Sequence, residues 1–236
     1  MGHLVWEPSD EHGPIRMFSM SRPLLLGHRG ARSTRSIPEN TLASFDLALE
    51  HGCDGFECDV RQTGDGRCVI CHDPEIQGVE IARAGAGDLA DLPVLEQVLA
   101  RYRDRAFLDI EVKVPGIEEA AIQCLRTHPP QRGYVVSSFL PEVLLKLREF
   151  DSDLPLGLIC ETRAQLAAWD RLPVQFVIPH YTLIDINVCD AVHAAGRKLF
   201  TWTVNRQEQM LRFKGMGVDG IISDDTEMLG KLRSEW

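Results

Sequence analysis

The stretch "DVRQTGDGRCVICHD", Asp59 to Asp73, decides the predicted fold. Two strand-like runs flank Gly64-Asp65-Gly66, a glycine-rich turn of the kind that joins antiparallel strands. A crossover between parallel strands needs about a dozen residues or more. The run Cys68–His72 is therefore predicted to return antiparallel, beside the strand that precedes it.

The other apolar runs are spaced regularly along the chain and alternate with helical patterns. Nine runs have the character of strands, and removing the hairpin strand leaves eight. The predicted strands are Leu24–Gly27, Gly55–Val60, Cys68–His72, Ala106–Lys113, Tyr134–Ser138, Leu156–Cys160, Gln175–Pro179, Lys198–Val204 and Asp219–Ser223. The predicted helices are Thr41–His51, Leu95–Tyr102, Ile117–Thr127, Val143–Phe150, Arg163–Trp169, Val188–Ala195, Arg206–Lys214 and Thr226–Arg233, with Thr162 and Asn205 as N-caps.

Eight strands, each followed by a helix, predict an α/β fold of the TIM type, a (β/α)8 barrel with a β-hairpin projecting from the second strand. The alternative is an open doubly wound sheet, which does not easily use eight strands of this regular spacing. The sequence has no internal repeat and no low-complexity linker. We therefore expect a single catalytic barrel domain over residues 1–236, which begins with an irregular leader over residues 1–22.

Composition and charge exclude several classes of protein. Of the 236 residues, 44% are hydrophobic, which is enough for a sizeable core, and no apolar run approaches the length of a membrane span. The net charge of −10 argues against nucleic-acid or anionic-membrane partners, because both require a basic face. Seven scattered cysteines and no export signal predict reduced thiols and a cytoplasmic location. Cys68 and Cys71 would face opposite sides of a strand, so they are predicted to be structural.

Charged residues fall on the predicted ends of barrel strands, where barrels of this type carry their active sites. Glu57 and Asp59 are two residues apart and share one face of a strand, as do Glu111 and Lys113. Inward carboxylates that converge at one mouth repel each other unless a cation lies among them. Oxygen ligands favour a hard cation, so the sequence predicts one divalent ion, Mg²⁺ or Ca²⁺.

Two histidines and an arginine join this predicted mouth. His28 and Arg29 directly follow the first strand, and a two-residue Gly64-Asp65 turn would place His72 opposite Glu57. Imidazoles suit acid–base work near neutral pH, and Arg29 and Lys113 suit a phosphate. This set of groups predicts metal-assisted cleavage of a phosphodiester.

The motifs that carry these residues closely resemble the glycerophosphodiester phosphodiesterase family, within the phospholipase C-like barrel phosphodiesterases. The resemblance covers nearly the whole chain, through "GHRG", "PENT", "FECDV", "TGDGRCVICHD", "DIEVK", "SSF", "TWTVN" and "GVDGIISD". It implies the same barrel and the hydrolysis of a glycerophosphodiester to glycerol 3-phosphate and an alcohol. The implied roles are acid–base catalysis for His28 and His72, metal binding for Glu57, Asp59 and Glu111, and phosphate binding for Arg29 and Lys113. Glu39 and Asn40 of "PENT" would support the site, and Trp202 is expected to be a wall of the pocket or part of the core.

The chain also departs from the family pattern in two places. The gap between "HRG" and "PENT" is longer than usual and carries Arg32 and Arg35. After His72-Asp73 the usual Arg-Thr-Thr-like stretch is missing and the insertion is shortened, which predicts a more open site. The expected partner is a small glycerophosphodiester, and the oligomeric state is left open. A lysophospholipase D-like enzyme and a non-catalytic barrel that binds phosphodiesters or metal are the alternatives.

Overall fold

Eight parallel strands close into a barrel within residues 22–233, the part of the chain that the computed structural model describes. The strands, including three short ones outside the ring, are β1 (Leu24–Gly27), β2 (Gly55–Gln62), β3 (Cys68–Ile70), β4 (Glu75–Ile76), β5 (Val79–Glu80), β6 (Phe107–Val112), β7 (Tyr134–Ser138), β8 (Leu156–Cys160), β9 (Phe176–Pro179), β10 (Lys198–Thr201) and β11 (Gly220–Ser223). Around the ring the order is β1, β11, β10, β9, β8, β7, β6, β2, and β2 pairs back onto β1. The predicted barrel is confirmed. The leader predicted over residues 1–22 lies outside the described residues, except for Arg22.

Helices follow the strands and pack around the ring. They are α1 (Leu42–Glu50), α2 (Leu95–Tyr102), α3 (Glu118–Thr127), α4 (Pro141–Phe150), α5 (Arg163–Leu166), α6 (Ile186–Ala194), α7 (Gln207–Met216) and α8 (Thr226–Arg233). Thr162 caps α5 as predicted, since its hydroxyl accepts a hydrogen bond from the Gln165 N–H. The prediction of Asn205 as an N-cap is wrong: α7 follows Arg206 without a side-chain cap, and the Asn205 amide bonds to Asp224 instead. No described helix is long and apolar enough to cross the hydrocarbon core of a bilayer.

The hairpin that decided the predicted fold is present, with a different turn. β3 pairs antiparallel with β2, with Val60 opposite Ile70. The Thr63 N–H donates to the Arg67 carbonyl at 3.0 Å, so the turn has three residues and Gly66 takes a φ of 88°. The predicted two-residue turn is therefore wrong, and the register is shifted by one residue. A glycine at the third turn position makes the positive φ inexpensive, which permits the longer turn.

Neighbouring strands β2 and β6 bring four carboxylates to the interior of the barrel. Their register pairs Glu57 with Asp109 and Asp59 with Glu111. These strands approach closely at their base, where a Cβ at Gly55 would come within 1.8 Å of the Phe107 carbonyl oxygen. A second, apolar cluster fills much of the interior and consists of Leu26, Phe107, Val135, Ile159, Phe176, Ile178, Phe200 and Ile222. The barrel interior is thus charged on one side and apolar on the other.

Candidate active site

A cavity of about 310 Å³ opens at the carboxyl ends of the barrel strands. Its apolar side is formed by Phe139, Ile159, Ile178, Trp202 and Ile222. The predicted site residues that line it are His28, Arg29, Glu57, His72, Glu111, Lys113 and Trp202. The other three predicted residues, Glu39, Asn40 and Asp59, contact members of this set from behind. The structure therefore brings all ten together, including Trp202, which forms part of the wall.

Glu57, Asp59 and Glu111 form a compact carboxylate cluster. Each offers an oxygen, and the three oxygens lie within 4.8 Å of one another. All three residues are buried, at 4%, 1% and 7% exposure. The Glu57 Oε1 atom has no hydrogen-bond partner among the described residues. A buried carboxylate oxygen without a partner is costly, and a hard divalent cation would satisfy it, so the cluster fits such an ion.

The pKa values of the cluster are shifted in opposite directions: burial and the neighbouring carboxylates raise them, and the neighbouring cations lower them. Burial, together with the neighbouring carboxylates, raises the pKa of Glu57 well above its usual range and that of Glu111 to about 7. Burial alone would also raise the pKa of Asp59, but Lys113 and Arg29 beside it hold that pKa below its ordinary value. The Lys113 Nζ atom lies 2.6 Å from Glu111 and 3.2 Å from Asp59. Lysine therefore compensates only part of the negative charge.

Arg29 is fixed by the turn that follows β1. Its φ of 53° is in the left-handed region, and its N–H donates to Glu57 Oε2 at 2.9 Å. Its guanidinium contacts Glu39 at 2.7 Å and Asp59 at 3.2 Å. The Asn40 N–H donates to the Arg29 carbonyl, and the Asn40 amide donates to Asp59 at 2.7 Å. The "PENT" segment thus holds both the arginine and one carboxylate of the cluster.

His28 is oriented by Asp224, which follows β11. The His28 Nδ1 atom lies 2.7 Å from Asp224 Oδ1, and Nε2 lies 3.9 Å from Glu57 Oε2. Burial would raise the pKa of Asp224, but the hydrogen bond and charge of His28 outweigh it and lower the pKa to about 2. Asp224 is therefore ionised and accepts a hydrogen bond from the His28 Nδ1–H group. Nε2 therefore faces the cluster and is available for proton transfer.

His72 reaches the same cavity from the hairpin. Its carbonyl accepts two hydrogen bonds from the Arg61 guanidinium, at 2.8 and 2.6 Å, beyond the last paired residue of β3. Its Nδ1 lies 2.7 Å from Asp73 Oδ1. As at His28, a carboxylate on Nδ1 leaves Nε2 available for proton transfer.

Comparison with known proteins identifies the family to which the chain belongs. The family model for the glycerophosphoryl diester phosphodiesterase family matches residues 28–121 and 92–228. The chain belongs to this family. A relative within it, the glycerophosphodiester phosphodiesterase of Caldanaerobacter subterraneus subsp. tengcongensis, is 31% identical over 89% of this chain and 98% of its own.

Solved phosphodiesterase structures share the barrel. The glycerophosphodiester phosphodiesterase of Thermotoga maritima is 25% identical, with a TM-score of 0.79 over 90% of this chain and 99% of its own. A phosphodiesterase of Oleispira antarctica, solved with the product sn-glycerol-3-phosphate, is 26% identical, with a TM-score of 0.77 over 90% of this chain and 96% of its own. Both solved structures therefore share their architecture with 90% of this chain.

Sequence reasoning gave no role to three residues of this family member. Asp224 directly follows the last predicted strand, and its contact with His28 spans 196 positions, which no local pattern reveals. Asp109 lines the cavity, accepts a hydrogen bond from the Ser137 hydroxyl at 2.5 Å and is 1% exposed. Its distance of two residues from Glu111 on the same strand is the sequence signal for its inward position. Glu161 follows β8 at the cavity rim, and only its distance of two residues from inward Ile159 could have indicated it.

Proposed function

We propose that this chain hydrolyses glycerophosphodiesters to glycerol 3-phosphate and an alcohol, as a metal-dependent phosphoric diester hydrolase. The observation that carries the proposal is the arrangement at one barrel mouth. Two histidines, each with a carboxylate on Nδ1, share a cavity with a buried carboxylate trio and two cationic side chains. Membership of the phosphodiesterase family supports this reaction class.

We propose that Glu57, Asp59 and Glu111 hold one divalent cation. Their oxygen-only donor set suits Mg²⁺ or Ca²⁺ better than zinc, and the unpartnered Glu57 oxygen favours occupation by an ion. When bound, such an ion offsets negative charge on the phosphate. Arg29 offers a planar guanidinium to the phosphate oxygens, and Lys113 a second positive charge.

The two histidines move the protons. One Nε2 atom removes a proton from the attacking group, which is either water or the glycerol 2-hydroxyl. Attack by the hydroxyl gives a cyclic phosphate, which water then opens to glycerol 3-phosphate. The other protonates the oxygen of the leaving alcohol. Asp224 and Asp73 keep Nδ1 of His28 and His72 protonated, so that Nε2 faces the reaction in both rings. Glu39 and Asn40 keep the arginine turn in place.

A turnover assay tests this function. Release of glycerol 3-phosphate from glycerophosphocholine and glycerophosphoethanolamine is measured with magnesium, calcium or chelator. We expect release with one of the two cations and none with chelator. Turnover of lysophosphatidylcholine alone would favour the lysophospholipase D-like alternative. Binding of a diester without any turnover would favour the non-catalytic barrel.

We also propose a cytoplasmic location and a role in lipid and glycerol metabolism. All seven cysteines are free, which agrees with a reducing compartment. Fractionation of the source cells, followed by immunodetection of the chain, tests the location. Recovery with the membrane pellet or outside the cell would contradict it.

A further inference from the structure

The part of the barrel rim opposite Arg29 and Lys113, the proposed phosphate-binding residues, carries aromatic rings and one carboxylate. Phe139 follows β7, Glu161 follows β8, His180 follows β9 and Trp202 follows β10. These four strands are consecutive neighbours in the barrel. The four residues, three of them aromatic, therefore lie side by side on the part of the rim away from β1, β2 and β6. We call this set the aromatic arc.

The rings of the aromatic arc are packed together but keep exposed surface. Trp202 meets Phe139 edge to face at 5.5 Å and 86°, and His180 at 5.3 Å and 77°. The indole N–H donates to the Ile178 carbonyl at 3.0 Å, which fixes the ring. Phe139 already carries one cation, since the Lys113 Nζ atom lies 5.8 Å from its ring centroid. The arc thus offers preorganised π-surface to a positive group.

Glu161 supplies a charge to the aromatic arc. Its backbone N–H is held by the Gln165 side chain at 2.9 Å, while its carboxylate pairs with no described residue. The side chain is exposed and lines the cavity together with Phe139 and Trp202. The other carboxylates of the cavity lie on β2 and β6, within the charged half. Glu161 is therefore a separate negative charge placed among aromatic rings.

We propose that the aromatic arc binds a cationic alcohol moiety, so that this enzyme prefers glycerophosphodiesters of amino alcohols, such as choline. The proposal rests on the proposed function, because it assigns the alcohol side of that site. With the phosphate between Arg29 and Lys113, the alcohol extends across the mouth toward β7–β10. An ammonium or quaternary ammonium group there contacts the rings of Phe139 and Trp202 and lies near the negative charge of Glu161. A neutral polyol gains neither interaction.

The test compares kcat/KM for glycerophosphocholine with kcat/KM for glycerophosphoglycerol, whose head group is uncharged. We expect the wild type to favour the choline diester. Glu161→Gln should lower that ratio about 2- to 5-fold, the range of an exposed ion pair, and Glu161→Lys should lower it further. The loss should appear mainly in kcat/KM for glycerophosphocholine, and added salt should reduce the difference between variants.

Glu50→Lys is the matched control. Glu50 is exposed at the end of α1, on the opposite face of the barrel, and the substitution changes net charge as much as Glu161→Lys does. It should leave the ratio unchanged. An equal ratio in wild type and Glu161→Gln, or an equal loss in the Glu50 control, would overturn the proposal.

Binding separates this inference from the proposed function. Isothermal titration of both diesters into the wild type, with chelator present, needs no turnover. If neither diester is hydrolysed with any cation, the proposed function fails. The aromatic arc is then still supported by tighter binding of the choline diester that weakens in Glu161→Gln. Equal binding of the two diesters overturns it.

Discussion

Replacing Asp224 by alanine tests whether His28 has to be held in one orientation to react. Asp224 accepts from His28 Nδ1 at 2.7 Å with one carboxylate oxygen and from the Asn205 amide at 2.7 Å with the other. The Arg32 guanidinium adds a contact of 3.3 Å. Without the carboxylate, the imidazole can rotate or place its proton on Nε2, the atom that faces the carboxylate cluster.

The structure sets the size of the expected effect. A hydrogen bond to a charged group contributes about 1.5–3 kcal/mol, and each 1.4 kcal/mol is tenfold in rate. Asp224→Ala should therefore lower kcat about 10- to 150-fold. KM should change little, because Asp224 does not line the substrate cavity. The loss should stay below that of His28→Ala, since the imidazole itself remains.

The assay is the turnover of glycerophosphocholine under saturating cation, with thermal unfolding measured in parallel. Asp225→Ala is the control, because the Asp225 side chain accepts from the Met228 N–H at 2.9 Å at the start of α8 and does not contact His28. It should cost about 1 kcal/mol of stability with kcat unchanged. A kcat for Asp224→Ala within twofold of the wild type would refute the reasoning. So would a loss that only follows unfolding.

Three further predictions concern the proton carriers, the cluster and its support. His28→Ala and His72→Ala should each lower kcat by about 10²–10⁴-fold with the fold intact by circular dichroism; near-full activity in both would contradict their roles. Burial raises the pKa of Glu111 from 4.5 to about 7. Between these values the metal-free folded chain binds more protons than the unfolded chain, so its stability should fall as pH rises through that window. Melting in chelator at pH 5 and 7.5 checks the sign, and a higher melting temperature at 7.5 would contradict it. Asn40→Ala removes the amide donor to buried Asp59 and should cost about 1–3 kcal/mol in urea unfolding, whereas an unchanged midpoint would mean that the contact contributes nothing.

The sequence predicted the barrel because its evidence was local. Apolar runs, turn glycines and helical spacing each lie within a short segment, and the strands Leu24–Gly27, Tyr134–Ser138 and Leu156–Cys160 were predicted without error. The hairpin turn was located but given the wrong length. Both glycines of Gly64-Asp65-Gly66 tolerate positive φ, so composition did not decide which one would adopt it.

The polar support of the site was harder to predict because its partners are distant in sequence. Asn205 has the residue type and position of a helix cap, yet its amide binds Asp224, which follows the neighbouring strand β11. His72 was expected to be placed by strand pairing, but the Arg61 side chain holds its carbonyl. In both cases a side-chain hydrogen bond, to a residue 11 or 19 positions away, set the placement. Such contacts are invisible in residue spacing.

The charges of the barrel interior argue for a divalent ion over a monovalent one. Two cationic side chains, Arg29 and Lys113, face four inward carboxylates: Glu57, Asp59, Asp109 and Glu111. Full ionisation would leave two uncompensated negative charges in a buried site. Burial and the neighbouring carboxylates raise the pKa of Asp109 and of Glu111 to about 7. Without an ion, these two groups therefore bind protons, which reduces the negative charge. A divalent cation replaces those protons, so its binding should release them and tighten as pH rises from 5 to 8. Titration calorimetry in buffers of different ionisation enthalpy measures the release, and a pH-independent affinity would contradict this account of the charge balance.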